Sequence, residues 1–131
     1  RRSAGLRWAR PVAHFYMGVP MLVAQVGGAR CKLFFDPGAQ ISYYQSSVPP
    51  GAEPAGTVDD FFPTVGKFTT DTHRFPVALN GFSPVVRFGK LPGLMGMSLG
   101  MAGVSGILGT ELMRNRVTGY FPRRHQLILQ S

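Results

Sequence analysis

Apolar runs closed by glycine-containing turns constrain this chain more than any other feature. Residues 20–26 (Pro-Met-Leu-Val-Ala-Gln-Val) end at Gly27-Gly28, residues 30–35 return, Asp36-Pro37-Gly38 breaks the run, and residues 41–44 resume it. Farther on, Asn80-Gly81 separates residues 69–79 from residues 82–88. Gly-Gly and Asn-Gly between apolar segments are hairpin signals, because the favoured two-residue turns need positive φ. With 17 glycines, 11 prolines and only 15% charged residues, the sequence argues against a helical bundle and for a turn-rich β protein. A chain of 131 residues is expected to form one domain with a real core. We divide it into a loose basic arm, residues 1–11, and a β domain, residues 12–131.

The remaining segments follow the same logic. Residues 14–16 suit a short strand, and residues 46–56, with three prolines and two glycines, suit a loop. Residues 57–68 carry Val58, Phe61, Phe62, Val65 and Phe68 around Pro63 and Gly66, which predicts an irregular hairpin with exposed aromatics. Thr110 is a candidate N-cap, with Glu111 in the first turn, for a short helix over residues 110–116. Residues 117–121 and 126–129 read as closing strands around a Pro122-Arg123-Arg124 turn. Residues 91–110 hold no charge and are about as long as a membrane-spanning helix. Six glycines and Pro92 weaken any helix there, so a loop-strand-helix passage is expected and no membrane span. The methionines Met95, Met97 and Met101 read as core filling or a loop near a dimer interface, ahead of an adaptable binding surface. No signal peptide is visible and no cellular address can be read.

The net charge of +8 belongs to the two ends. Arg1, Arg2, Arg7 and Arg10 open the chain, Arg114, Arg116, Arg123 and Arg124 lie near its end, and the rest is neutral. Solvated basic tails are the simpler reading, and an anion-binding surface is the alternative. Aromatic interleaving of the kind that stacks bases is missing, so nucleic acid is not expected as a partner. Cys31 is the lone cysteine and reads as a buried strand residue. His14, His73 and His125 are too far apart in sequence for ligand spacing, so neither a metal nor another cofactor is expected.

Six acids are present, and Asp36 is the one most firmly embedded among apolar neighbours. A carboxylate so placed must be paired, hydrogen-bonded or shifted in its titration. Asp59-Asp60 reads as a solvated loop pair or the shaping of a hairpin tip. Asp71-Thr72-His73 reads as a polar strand edge. Ser42, Ser46 and Ser47 lack a His-Asp pattern, which argues against a serine hydrolase.

An apolar strand running into Asp36-Pro37-Gly38-Ala39, a hairpin, and then Ile107-Leu108-Gly109 before a helix resembles the retropepsin-like aspartic proteases, the homodimeric relatives of pepsin. The resemblance spans residues 20–129. It implies an all-β acid-protease barrel with a flap hairpin and one short C-terminal helix, working as a homodimer on peptide or protein substrates. By the resemblance Asp36 is the catalytic carboxylate, and the second comes from the same residue of another copy, because a two-fold contact brings it to the axis twice. Two carboxylates around one water divide the work of base and acid, and such close like charges cannot both ionise. Pro37, Gly38 and Ala39 form the active-site turn, with Gly38 letting the backbone approach the carboxylate. Val58, Phe61, Phe62 and Val65 belong to the flap that covers substrate. Ile107 and Leu108 pack beneath the turn, with Gly109 permitting close backbone approach, and the chain ends interleave as strands across the dimer.

Pro37 departs from the family, which has Thr or Ser there. Proline lacks both the hydroxyl and the N–H that hold the two turns in register. Buried acceptors left unpaired cost about 1–3 kcal/mol each. Two functions therefore follow: an aspartic endopeptidase impaired by Pro37, or a catalytically inactive module of the same fold that binds peptides or assembles.

Overall fold

The structure, a computed structural model, describes residues 8–9, 13–16, 19–36, 38–62, 65–79, 81, 83–110, 118–121 and 126–130. Pro37, Asn80, residues 111–117 and residues 122–125 lie outside the described residues, and with them most of the helix expected after Thr110.

The chain is mostly β-strand. Strands β1 (Trp8–Ala9), β2 (Ala13–Tyr16), β3 (Val19–Val26), β4 (Ala29–Phe35) and β5 (Ser42–Tyr44) lead to the long hairpin of β6 (Glu53–Phe62) and β7 (Gly66–Pro76). Then come β8 (Val85–Gly89), helix α1 (Gly93–Met101), β9 (Gly106–Leu108), β10 (Thr118–Phe121) and β11 (Gln126–Gln130). Strands β1, β11 and β10 form a three-stranded sheet within one chain, so residues 8–9 of the expected loose arm are paired with β11.

The other eight strands run β2-β3-β4-β9-β5-β8-β7-β6. The sheet is not closed, in contrast to the expected barrel. Its edges are β2 and β6, and a single bridge between Gln25 and Ala78 ties β3 to the segment after β7. Gly27 and Gly28 both take positive φ (59° and 82°), as the two-residue turn between β3 and β4 requires.

Strand alternation fills both faces of this sheet. Leu22, Leu33, Phe35, Tyr44, Phe75, Val86, Phe88 and Leu108 belong to one buried cluster. Their chain neighbours Met21, Phe34, Tyr43 and Ile107 belong to a second, with Ala39, Leu91, Leu99 and Val104. A sheet covered on both faces demands nearly continuous apolar strands, which is why residues 33–35 show no polar alternation.

Helix α1 corrects one expectation: a helix forms at Gly93–Met101, ahead of β9, where a loop was expected. Pro92 sits at its N-cap. Gly103, at φ 72°, ends it as the Gly103 N–H bonds the Gly100 carbonyl (3.0 Å) and the Val104 N–H bonds the Leu99 carbonyl (2.9 Å). Leu99 and Val104 are both buried in the second cluster and supply the apolar contact of that cap. Met97 and Met101 are 65% and 88% exposed, so they do not fill the core. No helix among the described residues is long and apolar enough to cross a membrane.

The β6–β7 hairpin spans more than the expected residues 57–68. Pro54 and Gly56 do not end β6, because a register shift between Pro54 and Thr57 absorbs them and an edge strand tolerates a missing N–H. The carbonyls freed there are taken up from neighbouring strands. The Thr72 hydroxyl donates to Gly56 O (2.9 Å), and Arg87 Nη2 donates to Ala55 O (2.6 Å) while its Nε reaches Thr72 Oγ1 (2.8 Å). Asp71-Thr72-His73 is therefore interior to the sheet, on β7 between β6 and β8, with Thr72 buried.

Candidate active site

Asp36 follows the last residue of β4, and its backbone is fixed by β9. Strands β4 and β9 are parallel, with Phe35 opposite Leu108. The Asp36 N–H extends that ladder to Leu108 O (2.8 Å). The turn closes on itself as the Ala39 N–H donates to Asp36 O (3.1 Å), and Thr110 N–H donates to Ala39 O (2.8 Å). The half-buried carboxylate accepts the Gly38 N–H at Oδ1 (2.9 Å), which fixes its orientation.

Ile107, Leu108 and Gly109 thus lie against the turn that carries Asp36, Gly38 and Ala39. Leu108 is in the first cluster and Ile107 in the second. A Cβ on Gly109 would stand 2.4 Å from Ala39 O and 2.9 Å from Ile41 O, so only glycine fits between these carbonyls. The Gly109 N–H donates to the hydroxyl of buried Ser42 (2.9 Å). Gly106 is tighter still, with its Cβ position 2.0 Å from Tyr43 O.

The β6–β7 hairpin reaches the same cluster. Val58, Asp60 and Phe62 share one face of β6, and their cross-strand partners are Thr70, Phe68 and Gly66. The Tyr43 hydroxyl donates to Asp60 Oδ2. The rings of Phe62 and Phe68 flank Tyr43 at 5.9 and 6.1 Å and stack on each other at 6.1 Å. Burial, then the Asp60 bond and its negative charge, pushes the Tyr43 phenol far above its ordinary range. Phe61 lies on the opposite face, 57% exposed, across from Lys67. It therefore does not join Val58 and Phe62, and Val65 is exposed at the tip. A cleft of about 530 Å³ runs beside the hairpin between Asp59, Phe61, Lys67 and Thr69.

Sequence reasoning named the turn and its apolar support; it weighed Ser42 only against a serine hydrolase, Tyr43 only as a strand residue, Asp60 as a loop or hairpin-tip acid and Phe68 as a hairpin aromatic, and it joined none of them to the turn. Alternation along β5, β6 and β7 separates the faces of these strands, but the contacts between Tyr43, Asp60 and Phe68 depend on how the strands pair. Cys31 is only half-buried, with its thiol pushed up by burial. Among the described residues no group of three or more His, Cys, Asp or Glu side chains could hold a metal ion. No family model and no curated relative matches the sequence.

Proposed function

We propose that this chain is a retropepsin-like aspartic endopeptidase that works as a homodimer, with Asp36 of each copy around one activated water. The observation that carries the reading is the seating of the Asp36 turn. Its carboxylate is oriented by the Gly38 N–H, its backbone is bonded to Leu108, and Gly109 is wedged beneath it against Ala39 O. A flap whose inner face carries Val58, Asp60 and Phe62 lies over the apolar cluster that includes Ala39.

In this mechanism one carboxylate takes a proton from water and its two-fold mate protonates the carbonyl oxygen of the peptide. An extended peptide lies under the flap as an added strand. The second copy is required, since one chain supplies one such turn. Strands β1 and β10 are the edges that the three-stranded sheet offers for pairing with that copy.

Pro37 favours a second reading, a peptide-binding or assembly module of the same fold without catalysis, because proline removes an N–H and a hydroxyl from the turn. Peptide-library cleavage from acidic to neutral pH, with sedimentation alongside, separates the two. For the peptidase, Asp36→Asn lowers cleavage by about 100-fold or more, and Pro37→Thr raises both cleavage and dimer content. Cleavage that survives Asp36→Asn removes the proposal. A dimer that binds peptide without cutting it, even in the Pro37→Thr variant, selects the second reading.

A further inference from the structure

We infer that Tyr43 and Asp60 form a latch that holds the flap down over the Asp36 turn. The inference rests on the reading just given and makes Tyr43 a positioning residue for that reaction. Tyr43 is anchored in the middle of the large sheet, opposite Ile107 of β9 on one side and Gly89 of β8 on the other. It is fully buried, so its phenol has no freedom to follow a moving partner. Asp60 is the movable half. It sits near the end of β6, an edge strand whose ladder partner is β7 alone. Its Oδ1 accepts the Phe61 N–H (2.7 Å), which turns Oδ2 toward the Tyr43 hydroxyl.

The surroundings strengthen the bond and limit what it holds. Phe62 and Phe68 flank Tyr43 from the flap side, with Asp60 half-buried beside them, and a charge-assisted bond in a partly buried site is worth more than an exposed one. The outer face of the hairpin, with Asp59, Phe61, Lys67 and Thr69, is exposed. Among the described residues the tip is tied down through its inner face, by the Tyr43–Asp60 bond and the rings of Phe62 and Phe68. Such an element opens well below the free energy of global unfolding. A peptide entering beneath the flap must part Phe62 and Phe68 from the cluster that holds Ala39, and the latch sets the height to which the flap returns.

Hydrogen exchange of the full chain, read at residues 59–69 with the β3–β4 hairpin as internal reference, tests this without requiring activity. Tyr43→Phe and Asp60→Ala each raise exchange at the tip about ten-fold and leave the reference hairpin unchanged. Asp60→Asn, with one acceptor oxygen where the carboxylate uses two and with no charge, falls between the parent and Asp60→Ala, and combining Tyr43→Phe with Asp60→Ala adds little to either alone. Tip exchange unaltered by both single changes overturns the latch, as does a rise shared equally by the reference hairpin. Asp36→Asn leaves exchange at the tip as it was, so loss of the peptidase reading and loss of the latch are told apart.

Discussion

The Gly109 N–H donates to the buried Ser42 hydroxyl at 2.9 Å, joining the strand after the Asp36 turn to the glycine beneath it. Two segments far apart in sequence are thereby locked at the point where the candidate carboxylate emerges. Ser42→Ala leaves that buried N–H without its acceptor, at a cost of about 1–3 kcal/mol. The drop is to be read in denaturant unfolding. Ser42→Thr, which restores the hydroxyl, recovers part of it. Equal stability of Ser42→Ala and the parent would remove the clamp from this account.

The glycines beneath the turn give a steeper prediction. At Gly109 a methyl group meets Ala39 O and Ile41 O, and at Gly106 it meets Tyr43 O, all backbone atoms that cannot swing aside. Overpacking of this kind costs about 1–3 kcal/mol even where side chains can adjust. Gly109→Ala and Gly106→Ala are each expected to reach the top of that range or to prevent folding. Gly28→Ala is the comparison, because nothing lies near its Cβ position and only its φ of 82° is strained. If Gly106→Ala proved as mild as Gly28→Ala, the close approach of β9 to β5 would be wrong.

The legible parts of the fold are those with one local cause. Strands β3 and β4 fall within a residue of expectation, since Gly27-Gly28 punctuates two apolar runs. The turn at Asp36 could be named because a glycine and a lone acid stand out in apolar sequence, whereas its support at residues 107–109 came from the resemblance alone. Helix α1 was hidden for a physical reason: its glycines lower intrinsic propensity, and the Pro92 start and Gly103 stop that define it outweigh that cost only once Leu99 and Val104 are buried. The outward turn of Phe61 follows from alternation along β6, a register that only the pairing with β7 reveals. Tyr43–Asp60 and Ser42–Gly109 join residues 17 and 67 positions apart, beyond the reach of local pattern.

Arg87 gives a third prediction. It reaches from β8 across β7 to the Ala55 carbonyl at 2.6 Å, beside the irregularity in β6. Arg87→Met keeps the aliphatic stem and removes the donors, leaving Ala55 O unpaired. Amide exchange at the start of β6 is expected to rise severalfold while β3 and β4 stay protected. Unchanged protection at residues 53–57 would show that the irregularity holds itself.

Alkaline stability follows from the two central tyrosines. Burial first, with the Asp60 bond and charge added, raises the Tyr43 phenol, and burial raises Tyr44. The folded state therefore keeps protons that the unfolded chain releases from about pH 10 upward. By linkage their contribution is fully present below that pH and is lost as pH rises beyond it. Lys90 acts in the opposite sense: burial lowers its ammonium below 10.5, so its contribution grows as pH climbs toward that value. Two raised phenols outweigh one lowered amine, so the unfolding midpoint is expected to fall above about pH 10, with phenolate absorbance appearing together with loss of the sheet. Phenolate formation at Tyr43 in a still-folded chain would contradict the burial assigned to it.

Helix α1 separates two effects of the same substitution. Gly100 has nothing within 4 Å of its Cβ position, so Gly100→Ala removes backbone entropy from the unfolded chain at no steric cost and stabilises by about 0.5–1 kcal/mol. Gly96→Ala gains the same propensity but places its methyl 2.5 Å from Gln45 Nε2. That amide is pinned by its own bonds, since Gln45 Oε1 accepts the Leu91 N–H (2.7 Å) and its Nε2 donates to Leu91 O (3.3 Å). Moving it strands a backbone pair at about 1–3 kcal/mol per group, which exceeds the propensity gain, so Gly96→Ala is net destabilising. Gln45→Ala in the Gly96→Ala background removes the clash, and the second change should then cost less than it does alone. Denaturant unfolding of the four proteins reads the coupling, and additive effects would mean that Gln45 does not bind the head of α1.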